Sequence, residues 1–219
     1  MLTFAEEIYL LALDDVTGKL NSYSEEISVS YALIGALLCE LSFLNKIDTD
    51  IDNLYLLDKT PTGNKSLDSI IAIIAGTETK MPVSYWLKIL LSNATQTEEE
   101  ILGQLIEKGI LKRVDERIFW VFHSRRYPVI DNKEIKSVEA RLRDLVLDES
   151  AIPAPRDAVL VSLVQACNLF SDILSPRELK RSEKRIQNLS KLDIVGREVV
   201  DIIKEIKTFS PTMFHSTPI

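Results

Sequence analysis

The stretch Ala32-Leu33-Ile34-Gly35-Ala36-Leu37-Leu38-Cys39 is apolar nearly all round a helix, and it sits in a helical pattern running from about Glu25 or Glu26 to Asn45. A helix without a polar face belongs in an interior. Only other elements packed around it can cover it, so the rest of the chain is read for what supplies that cover.

Toward the N-terminus the cover is a short helix. Thr3 can cap its backbone while Glu6, three residues on, returns the favour, and Phe4, Ile8, Leu11 and Ala12 form an apolar stripe. Asp14-Asp15-Val16-Thr17-Gly18-Lys19 reads as the turn that ends it. Toward the C-terminus, Asn53 to Leu57 is a strand candidate, Pro61-Thr62-Gly63-Asn64 a loop, and Ser66 the cap of a helix reaching Ala75 and closed by Gly76. Pro82 suits the first turn of a helix from Val83 to Ala94. Thr97 is expected to cap the next, with Glu98-Glu99-Glu100 against the positive end of its dipole and Gly109 closing it.

Leu111 to Arg113 and Ile118 to Phe122, flanking Val114-Asp115-Glu116-Arg117, read as a β-hairpin, although no glycine marks the turn. Asp131 caps Asn132 to Leu147; Pro153 and Pro155 precede a nearly all-apolar helix from Arg156 to Ile173. Ser175-Pro176-Arg177-Glu178 joins an N-cap, a first-turn proline and a capping-box glutamate, and a last helix covers Val195 to Ile206. The predicted fold is mainly α: a single globular multi-helix domain over residues 1–207, with one protruding β-hairpin and a short additional strand, followed by a C-terminal tail at 208–219.

The 46% of apolar residues in a 219-residue chain is ample for a buried core. Apolar runs such as Ala158 to Val164 and Ile70 to Gly76 are far shorter than the ~20 residues that cross a bilayer, so no span is expected. Met1-Leu2-Thr3-Phe4 leads directly to Glu6-Glu7 without a cationic start, which points to a cytoplasmic protein, peripheral to a membrane at most. Cys39 and Cys167 lie in apolar helical patterns and are read as buried thiols. The formal charge is −7, but it is unevenly spread: residues 1–60 hold eleven acids against Lys19, Lys46 and Lys59, whereas Lys108 to Arg126 holds six bases against Asp115 and Glu116.

Catalysis finds little support. His123 and His215 are the only histidines, and neither a nucleophile elbow, a phosphate-cradling glycine loop nor a paired-histidine metal motif is present, so no catalytic residue, metal or cofactor is expected. Asp14-Asp15 and Glu25-Glu26 are adjacent carboxylates whose side chains diverge. The helix and hairpin after Thr97 have the sequence shape of a winged helix, yet Glu98-Glu99-Glu100 would face phosphates, and nucleic acid is excluded as a partner.

The hairpin carries the most chemistry. Ile118-Phe119-Trp120-Val121-Phe122 is apolar on both faces, and Lys112, Arg113, Arg117, Arg125 and Arg126 surround it. A two-sided apolar strand must be covered by the core, by another subunit or by lipid. In an anionic bilayer interface each base contributes on the order of 1 kcal/mol, and Trp120 suits the headgroup level. A second basic stretch, Arg177 to Lys191, places Lys180, Arg181, Lys184 and Arg185 on one helix face, for which a solvated surface is the commoner explanation.

Taken in order, LTFAEEIYLLALDDVTGKL, ALIGALLCEL, LIEKGIL, RRYPVIDN and RDAVLVSLVQACNLFSDIL resemble the Golgi phosphoprotein 3 family, over nearly the whole chain to about Ile206. The resemblance implies a helical domain with an amphipathic hairpin. It also implies a peripheral Golgi protein that binds phosphatidylinositol 4-phosphate and links glycosyltransferase tails to vesicle coats. The family's lipid pocket uses a tryptophan and three arginines. Here the matching positions are Glu25, Ile34, Thr95 and Glu98, none of them basic or aromatic. A phosphomonoester carries close to two negative charges and wants several charge-assisted donors, so this phosphoinositide site is expected to be lost. The family's basic N-terminal arm is also missing, which is read as the mark of a prokaryotic member.

Two readings compete. One is a peripheral membrane adaptor that meets anionic lipid through the hairpin. The other is a cytosolic protein-interaction module that homo-oligomerises through the same hairpin without lipid.

Overall fold

A computed structural model of the protein describes residues 2–14, 17, 19–20, 23–118 and 122–209. Helix α1 (Phe4–Ala12) opens with the expected capping box: Glu6 N–H donates to Thr3 Oγ1, and Thr3 N–H donates to Glu6 Oε2 at 2.8 Å. Helix α2 (Tyr23–Phe43) is the axis of the molecule. Ala32, Ile34, Ala36, Leu38 and Leu41 on it are no more than 1% exposed. Residues Glu26–Phe43 are long and apolar enough to cross a membrane by length and composition, beyond what the shorter apolar runs suggested, but 67% of that window is buried inside the molecule. Its burial marks it as the core helix that the sequence demanded.

Strands β1 (Ile47–Thr49) and β2 (Leu54–Leu56) pair antiparallel after α2, with Ile47 opposite Leu56. Only β2 was legible, because β1 (Ile-Asp-Thr) has one apolar residue, whereas β2 (Leu-Tyr-Leu) is apolar throughout. Helix α3 (Lys65–Ala75) starts two residues earlier than expected: Asn64 Oδ1, not Ser66, accepts the N–H groups of Ser66 and Leu67. A larger correction concerns Thr97. Helix α4 (Val83–Leu90) passes through a 3-10 turn (Leu91–Asn93) into α5 (Ala94–Glu107), so Thr97 lies inside α5, buried, and caps nothing. Glu98, Glu99 and Glu100 consequently lie past the first turn, where the dipole term has faded. Gly109 ends the segment with φ +70°, a conformation cheap only for glycine.

The hairpin is present in a different register. Val114–Ile118 is strand β3 and Phe122–Arg126 is β4, with Val114 opposite Arg126 and Ile118 opposite Phe122. Val114-Asp115-Glu116-Arg117 is thus strand and not turn; nothing in it requires a positive φ, and a backbone bridge at Leu111 and Val129 extends the ladder below it. Phe119, Trp120 and Val121 connect the strands and lie outside the described residues.

Helix α6 (Lys133–Leu147) follows, and α7 begins at Pro155 with that proline in its first turn. The helix predicted from Arg156 to Ile173 is broken: α7 (Pro155–Ala166) stops, Asn168 takes φ +61°, and α8 (Phe170–Ile173) is a separate turn. Asparagine tolerates that left-handed conformation better than most residues. Helix α9 (Pro176–Leu189) starts at the Ser175–Glu178 capping box, and α10 (Ile194–Phe209) closes the described fold; the tail from Ser210 lies outside it. Helices α1, α5, α7 and α10 pack on α2, confirming a mainly α fold with a hairpin.

The packing of α10 rests on missing side chains. A Cβ at Gly196 would lie 1.9 Å from Ser162 Oγ on α7, and one at Gly35 on α2 would lie 2.6 Å from Val199 Cγ2. Gly196→Ala is therefore expected to destabilise the fold by about 1–3 kcal/mol through overpacking. Gly103→Ala, on α5 with open space at its Cβ, is expected to stabilise it by about 0.5–1 kcal/mol. Urea unfolding of the two variants beside the parent checks both signs.

Candidate functional site

The charged groups of α1 are consumed by structure. Glu6 and Glu7 are 0% and 4% exposed. Lys108 Nζ, at the end of α5, meets Glu6 Oε1 at 2.6 Å. Arg141 of α6 and Arg156 of α7 place Nη2 at 3.0 and 3.1 Å from the two oxygens of Glu7. Arg156 also stacks over Phe4 at 4.0 Å and donates to Leu2 O at 2.7 Å, while Glu40 of α2 accepts from Phe4 N–H at 3.0 Å. Two adjacent buried carboxylates thus tie α1 to α5, α6 and α7. No local sequence signal marks these partners.

Where α2, α3, α4 and α5 meet, a small open cleft with a cavity volume of about 10 Å³ is lined by Ile34, Ser66, Ser69, Ile70, Leu90, Asn93, Gln96, Thr97 and Glu100. Ser66 Oγ donates to Glu100 Oε2, and Gln96 Nε2 donates to Glu100 Oε1 at 3.0 Å. Ile34 therefore faces the start of α5. Thr95 is exposed in the first turn of α5 beside that cleft, and Glu98 is turned away from it, accepting a 2.7 Å hydrogen bond from the hydroxyl of Tyr9 on α1. Burial, then the Glu98 charge, pushes the Tyr9 hydroxyl well above the usual tyrosine range, so it stays a donor. Glu25 lies in α2, its side chain outside the description. The cleft's described lining holds one carboxylate and no base. Sequence reasoning missed Ser66, Gln96 and Glu100, because Ser66 and Glu100 are far apart in the chain.

The hairpin residues divide by what is described. Lys112 and Arg113 are exposed immediately before β3. Arg117 and Ile118 lie in β3, Arg125 and Arg126 in β4, with Asp115 opposite Arg125 and Arg117 opposite His123 in the ladder. Trp120 falls in the connection outside the described residues. The second basic stretch does not present one face as expected. Lys180, Arg181 and Lys184 are exposed, but Arg185 reaches back to the carbonyls of Leu145, Glu149 and Ala151 at 2.7, 3.0 and 2.5 Å, closing the end of α6. Both cysteines are buried thiols; Cys39 Sγ lies 3.8 Å from Asp193 Oδ2, and burial pushes its thiol up.

Comparison with known proteins agrees with this architecture. The family model described as Golgi phosphoprotein 3 (GPP34) matches residues 4–206. Vacuolar protein sorting-associated protein 74 of Schizosaccharomyces pombe is 30% identical over 163 residues, which are 64% of this chain and 47% of that protein. A VPS74-like protein of Dictyostelium discoideum is 25% identical over 157 residues, 65% of this chain and 59% of its own. The chain thus spans about half the length of the curated relatives it matches. Both relatives are eukaryotic, so they lend no support to the prokaryotic origin expected from the sequence.

The α1 network generates a quantitative expectation. Glu7→Ala leaves Arg141 and Arg156 adjacent and without their shared carboxylate, and it should cost about 2–4 kcal/mol, less than a fully buried pair because Arg141 is partly exposed. Glu107→Ala, on an exposed position of α5, should change stability by less than about 0.5 kcal/mol. Chemical denaturation midpoints of the two variants make the comparison.

Proposed function

This chain belongs to the Golgi phosphoprotein 3 family, and we propose that it is a non-enzymatic adaptor that docks peripherally on an anionic, Golgi-type membrane surface through its hairpin. The observation that carries this reading is the hairpin itself. In a chain of net charge −7, Lys112 and Arg113 just before the antiparallel ladder, and Arg117, Arg125 and Arg126 on it, flank the apolar segment Ile118 to Phe122 in sequence. Charge of that sign draws the ladder to anionic headgroups, and the apolar segment between the bases supplies what a headgroup layer can accept. Peripheral attachment fits the burial of α2 within the core.

Recognition by headgroup charge, and not by a phosphomonoester pocket, follows from the cleft between α2 and α5. Ile34 stands on its wall, and Glu100 brings the one charge among its lining residues. A phosphate there would meet a carboxylate with no guanidinium or ammonium to offset it. We therefore propose that membrane affinity depends on the total anionic charge of the surface and little on phosphatidylinositol 4-phosphate.

Flotation with liposomes tests both statements. Vesicles with about 30 mol% phosphatidylserine should bind the chain at about 50 mM salt and release most of it at about 500 mM. The variant carrying Trp120→Ala, Arg113→Glu and Arg117→Glu should bind at least about tenfold more weakly. Replacing part of the phosphatidylserine with phosphatidylinositol 4-phosphate at equal charge should change little. Binding indifferent to the hairpin changes would reject the mechanism. A stable oligomer in which Trp120 is shielded from quenchers, with no vesicle binding, would establish the homo-oligomer reading instead.

A further inference from the structure

Helix α9 carries a second cationic surface that the hairpin reading leaves unused. Its inward side is set by Leu179, Ser182, Ile186 and Leu189, which are buried or half-buried where the helix packs on α6, α7 and α8. At roughly 100° per residue, Arg177, Lys180, Arg181 and Lys184 then fall within an outward arc of about 100°, with Asn188 on the same line. All five are exposed. Among the described residues none of the four bases has an ion-pair partner, and the acids of the helix lie off the arc: Glu178 is engaged by Arg143 and Ser175, and Glu183 sits on the flank beside Gln187. Lys191 continues the row past the helix end, followed by Leu192, which is 63% exposed.

A helix surface carrying four unneutralised cations is self-repelling unless something anionic faces it. The alternatives differ in what they require. Specific binding of an acidic peptide uses pockets for side chains or an edge for its backbone, and single-stranded nucleic acid uses aromatic platforms. The outward arc of α9 has neither; its exposed residues are long, flexible bases and amides. A flat anionic bilayer requires only charge laid out along a line, which α9 provides over about 20 Å. From this we infer that the exposed face of α9, Arg177, Lys180, Arg181 and Lys184 with Lys191 beyond, is a second contact with the anionic membrane. This inference rests on the membrane reading proposed above and adds a surface to it.

Charge reversal on the full chain tests it. Lys180→Glu, Arg181→Glu and Lys184→Glu together change no bond that holds the fold, and a matched control, Lys59→Glu, Lys65→Glu and Lys88→Glu, alters net charge equally at exposed positions elsewhere. In co-sedimentation with vesicles of about 30 mol% phosphatidylserine in phosphatidylcholine at about 50 mM salt, the α9 variant should bind about tenfold or more weakly, and the control within about threefold of the parent. The neutral triple variant to glutamine should fall between, and circular dichroism should report parental helix content for all. Equal loss in the α9 and control variants would overturn the inference, leaving only non-specific repulsion. Loss on changing the hairpin, with none on changing α9, would overturn it while leaving the hairpin anchor intact. A parent chain that binds no vesicle would reject the membrane reading and this inference with it.

Discussion

Two neighbouring carboxylates withdrawn from water on the first helix constrain the rest of the molecule. Removing Glu6 and Glu7 from solvent costs several kcal/mol each unless cations and hydrogen bonds meet them. The partners are Lys108 at the end of α5, Arg141 on α6 and Arg156 on α7, so α1 is satisfied only when three helices from distant parts of the chain are in place together. Removing one cation leaves a buried carboxylate short of a partner, which makes these pairs specifiers of arrangement even where their net contribution to stability is modest. Lys108 immediately precedes Gly109, where the chain turns toward the hairpin, and so the base of the hairpin is tied to the first helix.

What was legible in the sequence follows interaction range. The capping boxes at Thr3 and Ser175 are local and stood out, as did the all-apolar wheel of α2. Errors arose where a local signal had a tertiary competitor. Thr97 looks like a cap, yet the 3-10 turn before Ala94 lets the helix start earlier, and its side chain is buried. The hairpin turn was placed on Val114 to Arg117 because charged residues interrupt an apolar pattern there, whereas the ladder is set by pairings on both sides, from Leu111 with Val129 to Ile118 with Phe122. The salt-bridge partners of Glu7 lie more than a hundred residues away, and no periodicity could reveal them.

At the candidate site Ile34 and Glu98 are both engaged within the fold. Ile34 completes the apolar wall of the cleft, and Glu98 is held by Tyr9, a bond between α5 and α1 that leaves its carboxylate engaged. The sequence showed that these residues are not cations; it could not show that Glu98 pairs with Tyr9. Charge is likewise sorted by use. Spacing groups Arg185 with its basic neighbours, but it serves the carbonyls ending α6, whereas Lys180, Arg181 and Lys184 beside it stay exposed.

The claim on which the rest turns is that α1, through Glu6 and Lys108, holds the base of the hairpin. Hydrogen exchange measured by mass spectrometry on Lys108→Gln beside the parent tests it most directly. The account requires faster exchange confined to α1 and to the hairpin base near Ile110 and Val129, with α7 and α10 as protected as before. Unchanged protection at the hairpin base, or a uniform rise across every helix, would contradict it.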